Sequence, residues 1–557
     1  MQTAAQPTTN PTDLTSDKNH LFGLVMVLLA LLGGLAAENK RLRAQVADLE
    51  AALHLERAKR FGRSSERSST ASALPEESAA ALIIDGEAQE LPTTAPPSPT
   101  PRLRGGQPGH QGHGRSLPPD LPRQEIVCEL PVADRCCSTC GQPYAETNLT
   151  EDSEEIEIQV KAHVRHYRRK RYRRTCSCPG TKFVTAPLPP KIIPKGKFSA
   201  ASWVKFLLDK YQFQMPVARQ VKQLAQICLP LTESTIHGGF RKLADDLLPL
   251  YEAFLTQLRT APHLHADETS WRLFEEVEGK TGQRWWLWLF ASRPAGVVVF
   301  VLDPSHSANV PKKTLSHPLA PGQTAPAGRQ VYQIDDQTYV LNDHLTVISA
   351  DRLRVYQAIS ELIQVAFCWS HQRRDFVDFG QAHPAQPALV AWVASWVEDI
   401  RQLYALNDAR LAVRHQPELF QPAQAKLEAA VAAMKNRTTA RQGLTPAQEK
   451  ILASMERHWA GLTLFVADPD LPMDNNWAER LIRLAVMGRN NYYGHHALWA
   501  GELAAMVFSI VETCQLNGLN PCQFLLAYFT ACAEHGQPPA DLTPFLPWLK
   551  PPPADDG

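Results

Sequence analysis

Two segments far apart in the chain carry residue types that hold divalent metals: His263-Leu264-His265-Ala266-Asp267-Glu268-Thr269 and Asp474-Asn475-Asn476-Trp477-Ala478-Glu479-Arg480. The first reads as a short buried strand. The second opens a helix, because Asp474 is a good N-cap and Ala478, Leu481, Ile482 and Ala485 recur at helical spacing. Between them, Val347-Ile348-Ser349-Ala350-Asp351 is a strand ending in a third carboxylate. Carboxylates on two strand ends and one helix can hold two divalent cations, the arrangement used for in-line phosphoryl transfer on nucleic acid. Residues two apart on a strand face the same way, so Asp267 shares a face with His263 and His265 while Glu268 points to the other. Asp267 is therefore the better ligand of the two acids. Glu479 lies near its helix start, where the dipole favours a carboxylate. Each residue also has a plain structural alternative. Glu479 could pair with Arg483 one turn on, and Asp351 could cap a helix beginning at Arg352. The case rests on the set.

Cations surround these carboxylates in the sequence. Arg480, Arg483 and Arg489 lie on or just after the Glu479 helix, and Arg373 and Arg374 follow Cys368-Trp369-Ser370-His371. Phosphoryl transfer on a polyanion needs such groups to hold the backbone and offset charge in the transition state. Cys368 and His371 have metal-ligand spacing, but a packed strand end is the stronger reading of that pair. A separate cluster has the look of a zinc site. Cys137 and Cys140 form a CxxC half-site followed by Gly141, and Cys176 and Cys178 would supply a second half, with Cys128 and Cys136 as substitutes and reduced, unliganded cysteines as the alternative. Between the halves runs a basic stretch, Lys161 to Arg174, that includes Arg168, Arg169, Lys170, Arg171, Arg173 and Arg174 and no acid. Tyr167 and Tyr172 interleave with it, which favours a nucleic-acid contact over a solvated strand face. The glycine-rich segment from Arg104 to Arg115 suits either a loop along a phosphate backbone or a flexible connector.

The elements that position these groups follow from periodicity. At 557 residues the chain has room for three or four domains, and its zero formal net charge says nothing about partners. Eleven scattered cysteines without a secretory pattern point to a reducing compartment, hence the cytoplasm, and to no disulfides. Residues 1–67 are an apolar and coiled-coil region. Leu21 to Ala37 falls short of the roughly 20 residues a membrane span needs and is interrupted by glycines, so it reads as a buried or self-associating helix, with a membrane anchor as the rival. Leu35, Leu42, Val46, Leu49 and Leu53 then follow heptad-like spacing, which predicts self-association or an ordinary amphipathic helix. Residues 68–120 read as linker, 121–194 as a zinc-ribbon-like basic domain, and 195–260 as a helical DNA-binding or connector region. From 261 to 384 the period turns strand-like: Trp285–Phe290, Val297–Leu302, Leu345–Ser349, then Val365–Trp369 after a helix from Arg352 to Ile363. Ser305–Asn342 reads as a loop insertion, 385–464 as a helical insertion, and 465–557 as the last part of the core with C-terminal helices. Strands with helices woven in predict an α/β layer fold.

Four pieces in this order resemble the IS66-type DDE transposases of bacterial insertion sequences: Arg104–Arg115 (RGGQPGHQGHGR), His265–Thr269 (HADET), Cys368–Phe376 (CWSHQRRDF) and Asp474–Tyr493 (DNNWAERLIRLAVMGRNNYY). Gly518-Leu519-Asn520-Pro521 and Phe545-Leu546-Pro547-Trp548 agree as well. The resemblance implies an RNase H-like catalytic core with Asp267, Asp351 and Glu479 as ligands of magnesium or manganese. It also implies a zinc-binding region, DNA as substrate, and hydrolysis at element ends to free 3′ hydroxyls that attack target DNA. A homo-oligomer is expected, with accessory proteins of the same element as further partners and no membrane. The chain departs from the pattern in three places. Cys176-x-Cys178 stands for CxxC, Asn490 stands where a lysine is common, and His495-His496 replace small residues. Asp343 is the rival to Asp351. The competing reading is a non-catalytic DNA-binding remnant of an element, and metal-dependent cleavage of an element end separates the two.

Overall fold

The computed structural model describes residues 123–550, apart from 130, 137, 146–152, 154–155, 159, 174, 176–179, 182, 279, 281, 321, 343 and 360–362, and before them only scattered positions between 22 and 53. Those scattered positions are helical and exposed, Leu35, Leu42, Val46, Leu49 and Leu53 among them. No helix among the described residues is long and apolar enough to cross a membrane. The chain divides into two compact units, Arg63–Val160 and the remainder. In the first, the described residues are exposed and hold a single 3₁₀ turn at Val132–Asp134 and a bridge between Cys136 and Pro143. Ile156–Ile158 is outside any strand. Ile156 and Ile158 are exposed, and alternation yields a strand only where a neighbour takes up its backbone hydrogen bonds.

In the second unit, only Arg171–Arg173 among the described residues of the basic stretch is strand (β1), paired antiparallel with Phe183–Thr185 (β2). Three helices follow: Ala200–Tyr211 (α1), capped by the Ser199 hydroxyl on the Ser202 N–H, Val217–Gln226 (α2) and Glu233–Leu258 (α3). The second stops three residues before its apolar pattern does, because Cys228 takes a left-handed φ of 61° ahead of Pro230.

The apolar runs then build one five-stranded sheet. His263–Arg272 (β3), Arg284–Ser292 (β4) and Val297–Asp303 (β5) form an antiparallel meander. Ser305–Asn342 is not a bare loop. It folds as a helix at Asn309–Leu315 and a three-stranded antiparallel sheet of Ser316–Pro318 (β6), Val331–Ile334 (β7) and Gln337–Leu341 (β8). Its hairpin turns on Asp335 and Asp336, both at positive φ (50° and 60°), the geometry a two-residue primed turn demands. Val347–Ala350 (β9) then joins the large sheet parallel to β3, and Gln364–Phe367 (β10) parallel to β9, giving the order β10-β9-β3-β4-β5. The helix expected from Arg352 to Ile363 is shorter, Arg354–Gln357, because the Asp351 side chain takes the Leu353 N–H and holds Leu353 extended.

Beyond β10 the chain is helical. Trp369–Ala382 (α4), Pro387–Ala412 (α5), Pro417–Thr439 (α6) and Pro446–Arg457 (α7, opened by a Thr445–Gln448 capping box) build a second core around Trp369, Phe376, Trp396 and Met455. Asn476–Tyr492 (α8), Leu498–Leu516 (α9) and Pro521–His535 (α10) return to the sheet. The free edge of β5 is covered: the Phe300 N–H donates to Ser509 on α9 at 2.8 Å and the Val298 N–H to Thr513 at 3.0 Å, while Tyr251 on α3 donates to the Phe300 carbonyl. An edge strand closed by hydroxyls cannot recruit a stray strand.

Candidate active site

Asp267 lies in the middle of the ten-residue β3, not at its end as the sequence pattern suggested. The parallel pairing explains why it is still accessible. His263, Leu264 and His265 face Val347, Ile348 and Ser349, and pairing stops there. Two residues further along each strand, Asp267 and Asp351 fall level, one on β3 and the other just past β9. Glu479 comes from the first turn of α8, which packs on β3. The three carboxylates are within Coulombic reach. Burial pushes the Asp267 carboxyl up to about 8, the charges of Glu268, Asp351 and Glu479 add to the shift, and the hydrogen bond from the Glu268 N–H (2.8 Å) opposes it. Glu268 does project from the other side of the strand. It accepts from the Tyr356 hydroxyl at 2.5 Å and meets His306 at 3.2 Å, and His306 stacks on Trp286 at 3.7 Å. Asp351 accepts the Leu353 N–H at 2.9 Å in a turn ahead of the helix, whose cap position is Leu353, so Asp351 is not the cap. Glu479 faces His371, not Arg483: its Oε1 is 3.6 Å from His371 Nδ1.

What sets α8 against β3 is Asn475. Its Oδ1 accepts from His265 Nδ1 at 2.9 Å, and its Nδ2 donates to the Ala266 carbonyl at 2.8 Å. Burial, with the charges of His263 and Arg293, pushes His265 down to about 3, so the ring is neutral and its one proton goes to Asn475. That use of the amide displaces the expected cap. Asn475, not Asp474, precedes the helix; Asp474 accepts the Asn476 N–H at 3.1 Å and the Tyr404 hydroxyl at 3.1 Å. Polar types in the DNN segment were visible in the sequence, but nothing there distinguishes a cap from a cross-link to a distant strand. The Cys368-x-x-His371 pair has metal-ligand spacing in the sequence, where a packed strand end is the stronger reading. Cys368 is indeed buried, and burial pushes its thiol up to about 11 while the N–H groups of Asn475 and His371 oppose the shift. Yet Cys368, His371 and Glu479 also bring one ligand atom each within 4.8 Å of one another.

The arginines divide. Arg374, Arg480 and Arg483 are exposed, and Arg373 is partly so. Arg489 ties α8 to β3 through Thr269 (2.8 Å), the Ser270 carbonyl (2.7 Å) and the Ser270 hydroxyl (3.0 Å). Arg168, Arg169, Lys170, Arg171 and Arg173 are exposed, with Arg169 donating to the Ala186 carbonyl. Arg104, Arg115, Arg174, Cys137, Cys176, Cys178 and Asp343 lie outside the described residues; Cys128, Cys136 and Cys140 are exposed. His495, a departure from the expected pattern, is fully buried as an acceptor for Trp271 Nε1 at 3.1 Å and bonds through its backbone to Arg272.

The profile of the Transposase IS66 family matches residues 195–503, which spans the sheet, the helical insertion and α8. A second profile, Transposase C of IS166 homeodomain, matches residues 48–126. Among curated proteins, the uncharacterized protein y4jD of Sinorhizobium fredii is 25% identical over 453 residues, covering 79% of this chain and 83% of the relative. The uncharacterized protein y4hP of the same organism is 24% identical over 460 residues, 77% and 76% of the two chains. No solved structure matches.

Proposed function

The chain belongs to the IS66 transposase family, and from that premise we propose that it cuts the ends of its element and joins the freed 3′ hydroxyls to target DNA. Asp267, Asp351 and Glu479 are the proposed ligands of magnesium or manganese. The observation that carries this reading is the strand register that sets Asp267 and Asp351 level, with α8 packed on β3 to bring Glu479 to them. Burial, and then the charges of Glu268, Asp351 and Glu479, raise the Asp267 carboxyl to about 8. Carboxylates that repel one another in a partly buried site are matched to a divalent cation, and their hard oxygens suit magnesium or manganese. Such a cation, when bound, supplies an activated water and offsets charge on the scissile phosphate. The strand order β10-β9-β3-β4-β5, with a meander followed by two parallel strands, supports an RNase H-like core.

The chain's own groups do the rest. Asn475 and the neutral His265 fix the approach of α8, so Glu479 stays beside Asp267. Arg373, Arg374, Arg480 and Arg483 would hold phosphates, and the exposed run from Arg168 to Arg173, with Arg174, would bind the duplex away from the cut.

Incubating the full chain with a labelled element end, with and without Mg²⁺, tests the proposal. The wild type should nick the 3′ end only with the metal. Asp267→Asn should lower that rate by about 10²–10³-fold or more while the DNA shift in a gel persists. Nicking retained by Asp267→Asn would refute the triad; a wild type that binds but never cuts would be a non-catalytic remnant.

A further inference from the structure

Where the helical insertion joins the sheet, three groups converge that include two the cleavage chemistry does not use. Cys368 immediately precedes α4, His371 lies in the first turn of α4, and Glu479 in the first turn of α8. One ligand atom from each falls within 4.8 Å of the other two. His371 Nδ1 and Glu479 Oε1 are buried, lie 3.6 Å apart, and have no hydrogen-bond partner among the described residues. Two desolvated polar atoms that face each other beyond hydrogen-bonding distance cost about 1–3 kcal/mol apiece unless something sits between them. Their separation is that of two ligands on one tetrahedral ion, roughly 3.3–3.8 Å for bonds of about 2.0–2.3 Å.

The sulfur is set as a metal-bound thiolate would be. Its Sγ accepts the Asn475 N–H at 3.2 Å and also that of His371, at the N-terminus of a fourteen-residue helix. Backbone N–H groups and a helix N-terminus both stabilise anionic sulfur. The side chains of His371 and Glu479 keep 28% and 30% of their exposure, which leaves an entry path. Sulfur, imidazole and a single carboxylate oxygen form a soft, mixed set that selects zinc over magnesium.

We propose that Cys368, His371 and Oε1 of Glu479 form a second cation site, for a thiophilic divalent metal such as zinc, with the fourth position left to solvent. The site goes beyond the carboxylate triad and shares only Glu479 with it, so a cation there fixes one oxygen of Glu479 and leaves the other for the triad.

Cobalt(II) is the probe, because thiolate ligation gives a near-ultraviolet charge-transfer band. The full chain, stripped of metal, is titrated with Co²⁺ as wild type, Cys368→Ser, His371→Gln and Asp267→Asn. Cys368→Ser should lose one equivalent of bound cobalt and its share of the band, and His371→Gln should weaken that equivalent about 10–100-fold. Cysteines elsewhere in the chain contribute a background common to all four proteins. Asp267→Asn should keep the full band even as it loses DNA cleavage, so failure of the triad and failure of this site are read separately. Should Cys368→Ser not fold, as judged by circular dichroism, His371→Gln decides alone, since its side chain is partly exposed. Cobalt stoichiometry and band unchanged in the folded variants would overturn the site and leave His371 and Glu479 as a pair bridged by water.

Discussion

Around β3, β4 and β5 the core is continuous with α3, α9 and α10, and the two carboxylates it contributes, Asp267 and Asp351, are set by strand register. The helical insertion has its own core around Trp369, Phe376 and Trp396, and what it contributes, Cys368 and His371, is set by hydrogen bonds across a seam. There the Trp369 N–H donates to the Met473 carbonyl at 3.0 Å, and Arg352 reaches Gln372 and Ser454 at 3.1 Å each and Asp375 at 2.7 Å. β9 belongs to both: Val347 packs in the helical core, Ile348 and Ala350 in the other. Register is rigid, since a one-residue slip would turn Asp267 to the opposite face. Hydrogen bonds across a seam can be broken one at a time. The half of the site built on the sheet should therefore outlast the half that borders the insertion.

The largest effect should come from Trp396→Ala. Trp396 is buried, stacks on Phe376 at 5.3 Å and carries Arg437 over its ring at 4.1 Å, so truncation should cost about 4 kcal/mol. Hydrogen exchange should then show α5 and α6 losing protection while β4 and β5 keep theirs. Simultaneous loss in both would mean a single cooperative core and would break the comparison.

Asn475→Ala comes next and cuts the junction itself. It removes both side-chain bonds to β3 and leaves His265 Nδ1 and the Ala266 carbonyl buried without partners, a cost of about 3 kcal/mol in the urea unfolding midpoint. Cleavage of an element end should fall further than that destabilisation explains, with DNA binding retained, because Glu479 loses its placement relative to Asp267. A variant destabilised but fully active would show that the apolar contacts of α8 and the Arg489 bonds to β3 hold it in place without Asn475.

The same contrast governs what the sequence disclosed. Trp285–Phe290 and Val297–Leu302 were legible as strands because a buried strand needs an unbroken apolar run. The facing of Asp267 away from Glu268 followed from a period of two. Ser305–Asn342 was not legible: its hairpin turns on Asp335-Asp336, with no Asn-Gly or Asp-Gly to announce it, and Pro and Gly around it mimic a loop. The partners of Cys368, His371 and Asn475 were hidden for another reason. Each reaches across a hundred residues or more, as in the Asn475 N–H to Cys368 Sγ bond (separation 107), and residue types carry no record of distance.

The smallest effect tests the sheet side against itself. Glu512 lies in the buried face of α9, between Val511 and Thr513, and burial pushes its carboxyl up to about 7 from 4.5. Between those values the folded chain binds more protons than the unfolded one, so stability falls as pH rises through the window, is highest below it, and levels off above about 7. Glu512→Gln keeps the shape and removes the charge. It should change nothing near pH 4.5 and stabilise by about 2 kcal/mol at pH 8, read as a urea midpoint at each pH. Asp267 is raised for a related reason, but there the neighbours are carboxylates that a cation can satisfy, whereas burial alone accounts for Glu512. The Gln variant should accordingly gain stability at pH 8 with element-end cleavage unaltered, and a loss of cleavage would place Glu512 in the chemistry and erase the distinction between a core that positions and a site that reacts.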